Sequence, residues 1–207
     1  MLKRYFIASA LVAATTFGGS GLAAAQQVAS TAPSAVKAGH YKVEPYHTQV
    51  GFTLSHFGFS KFSGLFSGVS GSLTFDPSHV SVAHLDVTLP VASVETTVPK
   101  LDEELKGPQW FDASQFPTAT FKSTRVVQTG KDTADITGDL TLHGVTQPIT
   151  LKAHLVGSGV NPLDKMFTVG FEASATLARS KFGVSQYVPL VGDDVTLTIA
   201  GAFELQP

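Results

Sequence analysis

Hydrophobic and polar residues alternate one by one through most of the chain beyond residue 40. Val50, Phe52 and Leu54 alternate with Gln49, Thr53 and Ser55, and Val69, Gly71, Leu73 and Phe75 with Ser70, Ser72 and Thr74. The pattern returns at Leu85, Val87 and Leu89, at Ala134, Ile136, Gly138, Leu140 and Leu142, and at Phe167, Val169 and Phe171. A last run carries Val195, Leu197 and Ile199. A period of two puts each apolar set on one face of a strand. One apolar face and one wet face belong to antiparallel sheet rather than to parallel sheet buried on both sides.

These runs predict eight or nine strands, near residues 41–46, 48–57, 65–75, 82–91, 118–127, 132–142, 148–157, 166–177 and 194–204. Turn chemistry stands where they stop: Asp76-Pro77-Ser78, Thr129-Gly130-Lys131-Asp132 and His143-Gly144-Val145-Thr146. Several of these strands exceed the usual length of about 5–6 residues. Long alternating strands on short turns point to an all-β barrel or a deep sandwich.

One interval breaks the period. Residues 99–106 place Leu101 and Leu105 four apart, carboxylates early, and Gly107-Pro108 as a stop, which predicts a short helix with one apolar edge. Trp110, Phe111 and Phe116 follow and need apolar cover, so the excursion is expected to cap one end of the barrel.

The N-terminus reads differently. Lys3 and Arg4 precede an uncharged, mainly apolar run over 6–17, and Ala23-Ala24-Ala25 offers a cleavage site, which together predict a cleaved signal peptide over 1–25. Residues 26–39, rich in Ala, Ser, Thr and Pro, are expected to form a flexible lead-in, and 40–207 a single domain. No later stretch reads as a spanning helix, so stable membrane insertion of the mature chain is not expected.

Only 14% of the 207 residues are charged while 43% are hydrophobic, which excludes a disordered, solvating chain. A formal charge of −2 without a basic run argues against nucleic acid as a partner. With no Cys, disulfides, thiolate metal sites and cysteine nucleophiles are excluded together. Seven His are spread along the chain without HExxH or a helical i,i+4 pair, and no GxSxG nominates a serine nucleophile.

The aromatic supply is uneven: Phe52, Phe57, Phe59, Phe62 and Phe66 crowd a stretch that is also punctuated by Gly51, Gly58, Gly64, Gly68 and Gly71. Large rings filling a core explain the first fact. Glycine in strands marks bending or room close to the backbone. An eight-stranded barrel is wide enough either to be filled by its side chains or to hold one small ligand. Composition leaves both open.

Several stretches resemble one known family. His47-Thr48-Gln49-Val50-Gly51-Phe52, Ser55-His56-Phe57, Gly64-Leu65-Phe66 and Gly71-Ser72-Leu73-Thr74-Phe75-Asp76 resemble the start of the YceI-like family. Val94-Glu95-Thr96 and Phe116-Pro117-Thr118-Ala119-Thr120-Phe121-Lys122-Ser123 are similar to its segments on either side of the helix. Gly138-Asp139-Leu140-Thr141-Leu142-His143-Gly144-Val145-Thr146 and Arg179-Ser180-Lys181-Phe182-Gly183-Val184 resemble two later signatures. The match runs in order from about 41 to 205. Ala178 stands where the family often has Asn, and Lys181 where it often has Asp.

The resemblance implies an extended, eight-stranded, antiparallel, lipocalin-like barrel, exported to the periplasm. It also implies a binder of long-chain polyisoprenoids (a prenyl quinone or polyprenyl precursor) rather than an enzyme. That lipid is the expected ligand; no other cofactor and no metal is expected, and a homodimer is compatible with the family.

With that ligand in view, the inward set Phe52, Leu54, Leu73, Phe75, Val87, Leu140, Val169 and Phe171 supplies the candidate wall. Phe66 and Phe182 are added, although each lies near a Gly that interrupts the strand phase. Trp110, Phe111 and Phe121 are expected to close or line one end. His56 shares the inward face of Val50, Phe52 and Leu54, either as a hydrogen-bonded core residue or as a contact for the ligand's polar end. Arg179 either ties strand ends to backbone carbonyls or a carboxylate, or offers its donors to a head group at the barrel mouth. His143 is expected to stabilise its turn. A lipid-acting hydrolase or isomerase in the same cavity is the rival reading, and it requires a His–carboxylate cluster facing one pocket.

Overall fold

The computed structural model describes residues 28–207, so the expected signal peptide lies outside the described residues. The strands are β1 (Gly39–Val43), β2 (Gln49–His56), β3 (Ser60–Phe66), β4 (Ser70–Phe75), β5 (His84–Pro90), β6 (Thr118–Gln128), β7 (Thr133–Leu142), β8 (Val145–Val160), β9 (Phe167–Ala178) and β10 (Asp194–Leu205). A single α-helix, α1, occupies Pro99–Lys106, where the Leu101/Leu105 spacing predicts it.

Ten segments replace the eight or nine strands expected because two staves of the barrel are interrupted. β1 and β2 both pair with β10, through Val43↔Phe203 and Val50↔Ile199, and so continue one another along it. β4 and β3 run beside them in the same order. Pro45, which lacks an N–H for the ladder, falls in the first break, and Gly68, at φ 69°, falls in the second. Counted as staves, eight antiparallel strands close a ring, in which β5 to β10 follow β4 in sequence and β10 returns to β1. Register shifts between Ser123 and Arg125 on β6 and between Leu155 and Gly157 on β8 supply the local bending that closure requires.

The connections divide between two ends. Residues 91–117, with α1, lie at one end together with residues 179–193, the β2–β3 hairpin and the two-residue turn His143-Gly144. That turn has φ of 51° and 72° at its two residues, the primed geometry of a tight hairpin. His143 Nδ1 lies 3.2 Å from the Phe182 carbonyl and its ring packs on Phe116, so it holds the turn in place. The turns at 76–83, 129–132 and 161–166 gather at the opposite end.

Toward that opposite end the side formed by β1, β4 and β8–β10 carries a buried core. Val36, Tyr41, Val43, Val69, Leu73, Leu155, Val169 and Phe203 form one buried cluster. Val36 belongs to the segment expected to be a flexible lead-in. From Val28 onward this segment instead lies on the barrel, where Ser30 and Ser158 exchange backbone hydrogen bonds of 2.8 Å. The contact is tertiary, so an aperiodic Ala/Ser/Thr/Pro stretch carries no local sign of it.

Candidate functional site

The alternating apolar faces converge on a cavity of about 580 Å³. Its wall runs from Trp110, Tyr187 and Val191 at the helix-bearing end to Pro77, Val80 and Lys131 at the other. Of the predicted wall, Phe52, Leu54, Leu73, Phe75, Val87, Leu140 and Phe171 border it, as do Phe66, Trp110, Phe111, Phe121, His56 and Arg179. α1 turns Leu101 and Leu105 into the same space, so the excursion does cap the bore.

Two expected residues do not border it. Val169 follows the phase of Phe171 but lies wholly buried in the cluster with Tyr41 and Phe203, of which Phe203 borders the cavity while Val169 and Tyr41 do not. Phe182 is buried in a 3₁₀ turn, Arg179–Phe182, beyond the end of β9. The alternation ends at Ala178, so strand phase no longer assigns Phe182 a face.

The glycines explain why so many rings leave space. A Cβ on Gly64 would stand 2.4 Å from the tip of the Phe52 ring, and one on Gly138 would stand 2.4 Å from that of Phe121. Each ring therefore folds back over a glycine of the neighbouring strand instead of crossing the bore. Gly138 pairs with Ser123 beside Phe121, and Gly64 pairs with Phe52 itself. Aromatics laid over cross-strand glycines turn bulk into a smooth wall.

The charged groups on the wall gather at its ends. At the helix-bearing end Arg179 is 4% exposed. It donates from Nε to the Gly192 carbonyl, from one terminal nitrogen to Val184, and from the other to Gln186 and Val191, each at 2.9 Å. Four of its five N–H groups are thus committed to the loop at 179–193. Of the two readings of Arg179, the structure places its donors on backbone carbonyls. Burial lowers the guanidinium's pKa, and nearby Asp193 opposes that shift. The Trp110 ring lies 5.3 Å beneath the charge, and its indole N–H donates to Glu104 at 3.3 Å. His56 faces the cavity, but it is exposed at the end of β2, edge-on to Phe57, rather than set in the core.

Asp193 accepts from the Ser180 amide at 2.8 Å and its hydroxyl at 2.7 Å, close to the position where Lys181 replaces the family's frequent Asp. Burial pushes its carboxyl up, but the two Ser180 bonds and the nearby Arg179 and Lys181 charges outweigh this and hold it below the usual range. Glu44, in the β1–β2 break, behaves alike: burial raises it, while the His47 ring and the Tyr46 and His47 amides bring it below that range. A carboxyl depressed in the folded state adds stability above its unfolded pKa of about 4 and loses it as pH falls through the folded value. Thermal melts should therefore show the melting temperature falling below about pH 4, and Asp193→Asn should flatten part of that dependence. An acid limb unchanged in Asp193→Asn would remove this role.

Sequence reasoning missed part of the wall. Val50, Ile136, Leu197 and Ile199 lie in the alternating runs and were legible there. Tyr187, Val184 and Val191 come from an aperiodic loop, where no sequence signal aims them. Among the described residues, no group of three or more His, Asp or Glu is placed to hold a metal ion. No helix among them is long and apolar enough to cross a membrane.

Comparison with known proteins agrees with this geometry. A UPF0312 protein of Pseudomonas aeruginosa is 37% identical over 202 residues, covering 97% of each chain. The crystal structure of the Campylobacter jejuni YCEI protein is 29% identical and superposes with a TM-score of 0.65 over 74% of this chain and 90% of its own. A structure described as a polyisoprenoid binding domain from Saccharophagus degradans, implicated in plant cell wall breakdown, shares the fold at 13% identity, with a TM-score of 0.63 over 82% of this chain and all of its own. The family model for the YceI-like domain matches residues 41–203, from β1 to β10, and with it the chain belongs to the YceI-like family.

Proposed function

We propose that this protein binds one long-chain polyisoprenoid lipid, a prenyl quinone or a polyprenyl precursor, inside the barrel and carries it through the periplasm. The cavity carries the reading: about 580 Å³, walled by aliphatic and aromatic side chains from every stave, with its charged groups at the two ends. Burial of each CH₂ is worth about 0.8 kcal/mol, so a long apolar chain binds such a bore without needing many hydrogen bonds. The Saccharophagus degradans domain, described as polyisoprenoid binding, shares the architecture and supports the ligand class.

Binding is favoured over turnover because Arg179 and Glu104 at the mouth already have partners, and among the described residues no carboxylate is hydrogen-bonded to His56. Arg179 serves four carbonyls, and Glu104 accepts from Trp110. Export rests on the basic start, apolar run and small-residue site within residues 1–25.

Trp110 is the only tryptophan and borders the cavity, so it reports occupancy. Titration of delipidated protein with a long-chain prenyl quinone should quench its fluorescence saturably at one equivalent. Quenching that never saturates, or that is matched by free tryptophan in the same dispersion, would overturn the reading.

A further inference from the structure

The cavity opens against an exposed apolar lip. Phe59, at the tip of the β2–β3 hairpin, is 88% exposed, and Leu190, in the 179–193 loop, is 62% exposed. Between these and the bore stand Phe57 and Tyr187, at 44% and 53% exposure, and both also border the cavity. The apolar surface therefore runs unbroken from the outside of the mouth to the inner wall. Scattered apolar side chains on a surface need no explanation, but a contiguous cluster at a cavity mouth does.

The lip is also built rather than incidental. The Phe57 amide donates to the Leu190 carbonyl at 2.9 Å, and that of Gly192 to Ser55 at 2.8 Å, which straps hairpin and loop together. His56 bridges to Val191 in the same seam. Phe57 and Tyr187 both hold positive φ, 51° and 59°, where β-branched side chains are strongly disfavoured, and the Tyr187 carbonyl accepts from the Val191 amide at 2.8 Å.

Its charge is the third observation. The chain carries a net −2, yet residues 45–75 and 173–192 contain no Asp or Glu. The cations within them include Lys61, two positions beyond Phe59, and Lys181, at the base of the loop. The acidic side chains of this end flank these segments: Glu95, Asp102, Glu103, Glu104 and Asp112 on α1 and its flanks, and Asp193 and Asp194 where the loop meets β10, with Asp193 held on Ser180 beside Arg179 and Lys181. The tips of the lip, residues 57–61 and 187–191, carry Lys61 and no carboxylate, which suits a phospholipid interface, where exposed rings enter the headgroup region and Lys pairs with lipid phosphate.

We propose that this lip is a docking surface for a phospholipid bilayer, seating this end of the barrel on the membrane so that an apolar chain passes between lipid and bore without crossing water. The passage rests on the lipid-binding reading; the docking does not.

Vesicles of phosphatidylethanolamine and phosphatidylglycerol, free of isoprenoid, separate the two. In sedimentation, the mature protein should partition onto these vesicles. Phe59→Asp combined with Leu190→Asp should lower the partition at least tenfold, and Lys61→Glu should lower it severalfold. Leu163→Asp is the control, because Leu163 is 90% exposed but lies in the turn at the opposite end, and it should leave partition unchanged. Prenyl-quinone quenching of Trp110, measured in the Phe59→Asp/Leu190→Asp protein without vesicles, should match that of the parent and show that the barrel is intact. Absence of vesicle binding by the parent, or equal loss in Leu163→Asp, overturns the proposal; lost quenching with vesicle binding retained would instead count against the lipid reading.

Discussion

Replacing Arg179 by methionine is expected to cost about 3 kcal/mol or more of stability, because a buried carbonyl left unpaired costs about 1–3 kcal/mol and four lose their donor. Methionine keeps much of the apolar stem, so the effect isolates the guanidinium. Lysine should not rescue it: a single ammonium has three donors on a point charge and cannot reproduce a planar fork reaching Gly192, Val184, Gln186 and Val191 together. The loop also presents Tyr187 and Val191 to the cavity, so the damage should be read at the mouth as well. Urea unfolding gives the stability change, and Trp110 emission, lying over the same charge, should shift red as water enters. A variant with parental stability and emission would show that the guanidinium's bonds are dispensable and would return Arg179 to the head-group reading.

The second large effect concerns the bore. Ala153 and Ala173 are cross-strand partners on β8 and β9, and both border the cavity. Changing both to phenylalanine sets two rings side by side at one level of the channel. Overpacking a filled core costs about 1–3 kcal/mol, whereas rings entering empty space meet little resistance. The expected result is a barrel of nearly parental stability that has lost at least tenfold in quinone affinity. Severe destabilisation would mean that no room existed there; full retention of affinity would mean that the ligand lies elsewhere. The pair of readouts makes this a test of vacancy as much as of binding.

The fold was legible wherever one face met water. On β2 and β10 the alternation aimed Val50, Phe52, Leu54, Leu197 and Ile199 at the bore, and α1 followed from two leucines and a Gly-Pro stop. The failures have physical causes. Period two says which side of a sheet a residue faces but not the depth at which a barrel fills, so Val169 and Phe171 read alike although one is sealed in and the other borders the cavity. Phe182 sits where the strand has given way to a turn. The splitting of staves at Pro45 and Gly68, and the docking of Ser30 on Ser158, depend on contacts distant in sequence.

Hollowness itself was the least legible property. It depends on Phe52 and Phe121 lying over Gly64 and Gly138, a relation between neighbouring strands that requires the register to be known. With register in hand, Gly64, one of the glycines that left the sequence ambiguous, and Gly138 become the reason the interior stays open. A Cβ at either position would also meet backbone, the Glu95 carbonyl at 2.9 Å from Gly64 and the Lys122 carbonyl at 2.5 Å from Gly138, so valine would displace the neighbouring backbone as well as the ring.

The most direct measurement is what the protein holds when it leaves its host. Protein purified gently without detergent, extracted with organic solvent and examined by mass spectrometry should yield a long-chain isoprenoid lipid at about one molecule per barrel, and the Ala153→Phe/Ala173→Phe protein should yield almost none. Extracts in which the parent carries no lipid, or only a substoichiometric mixture equal to that of the double variant, would contradict the account.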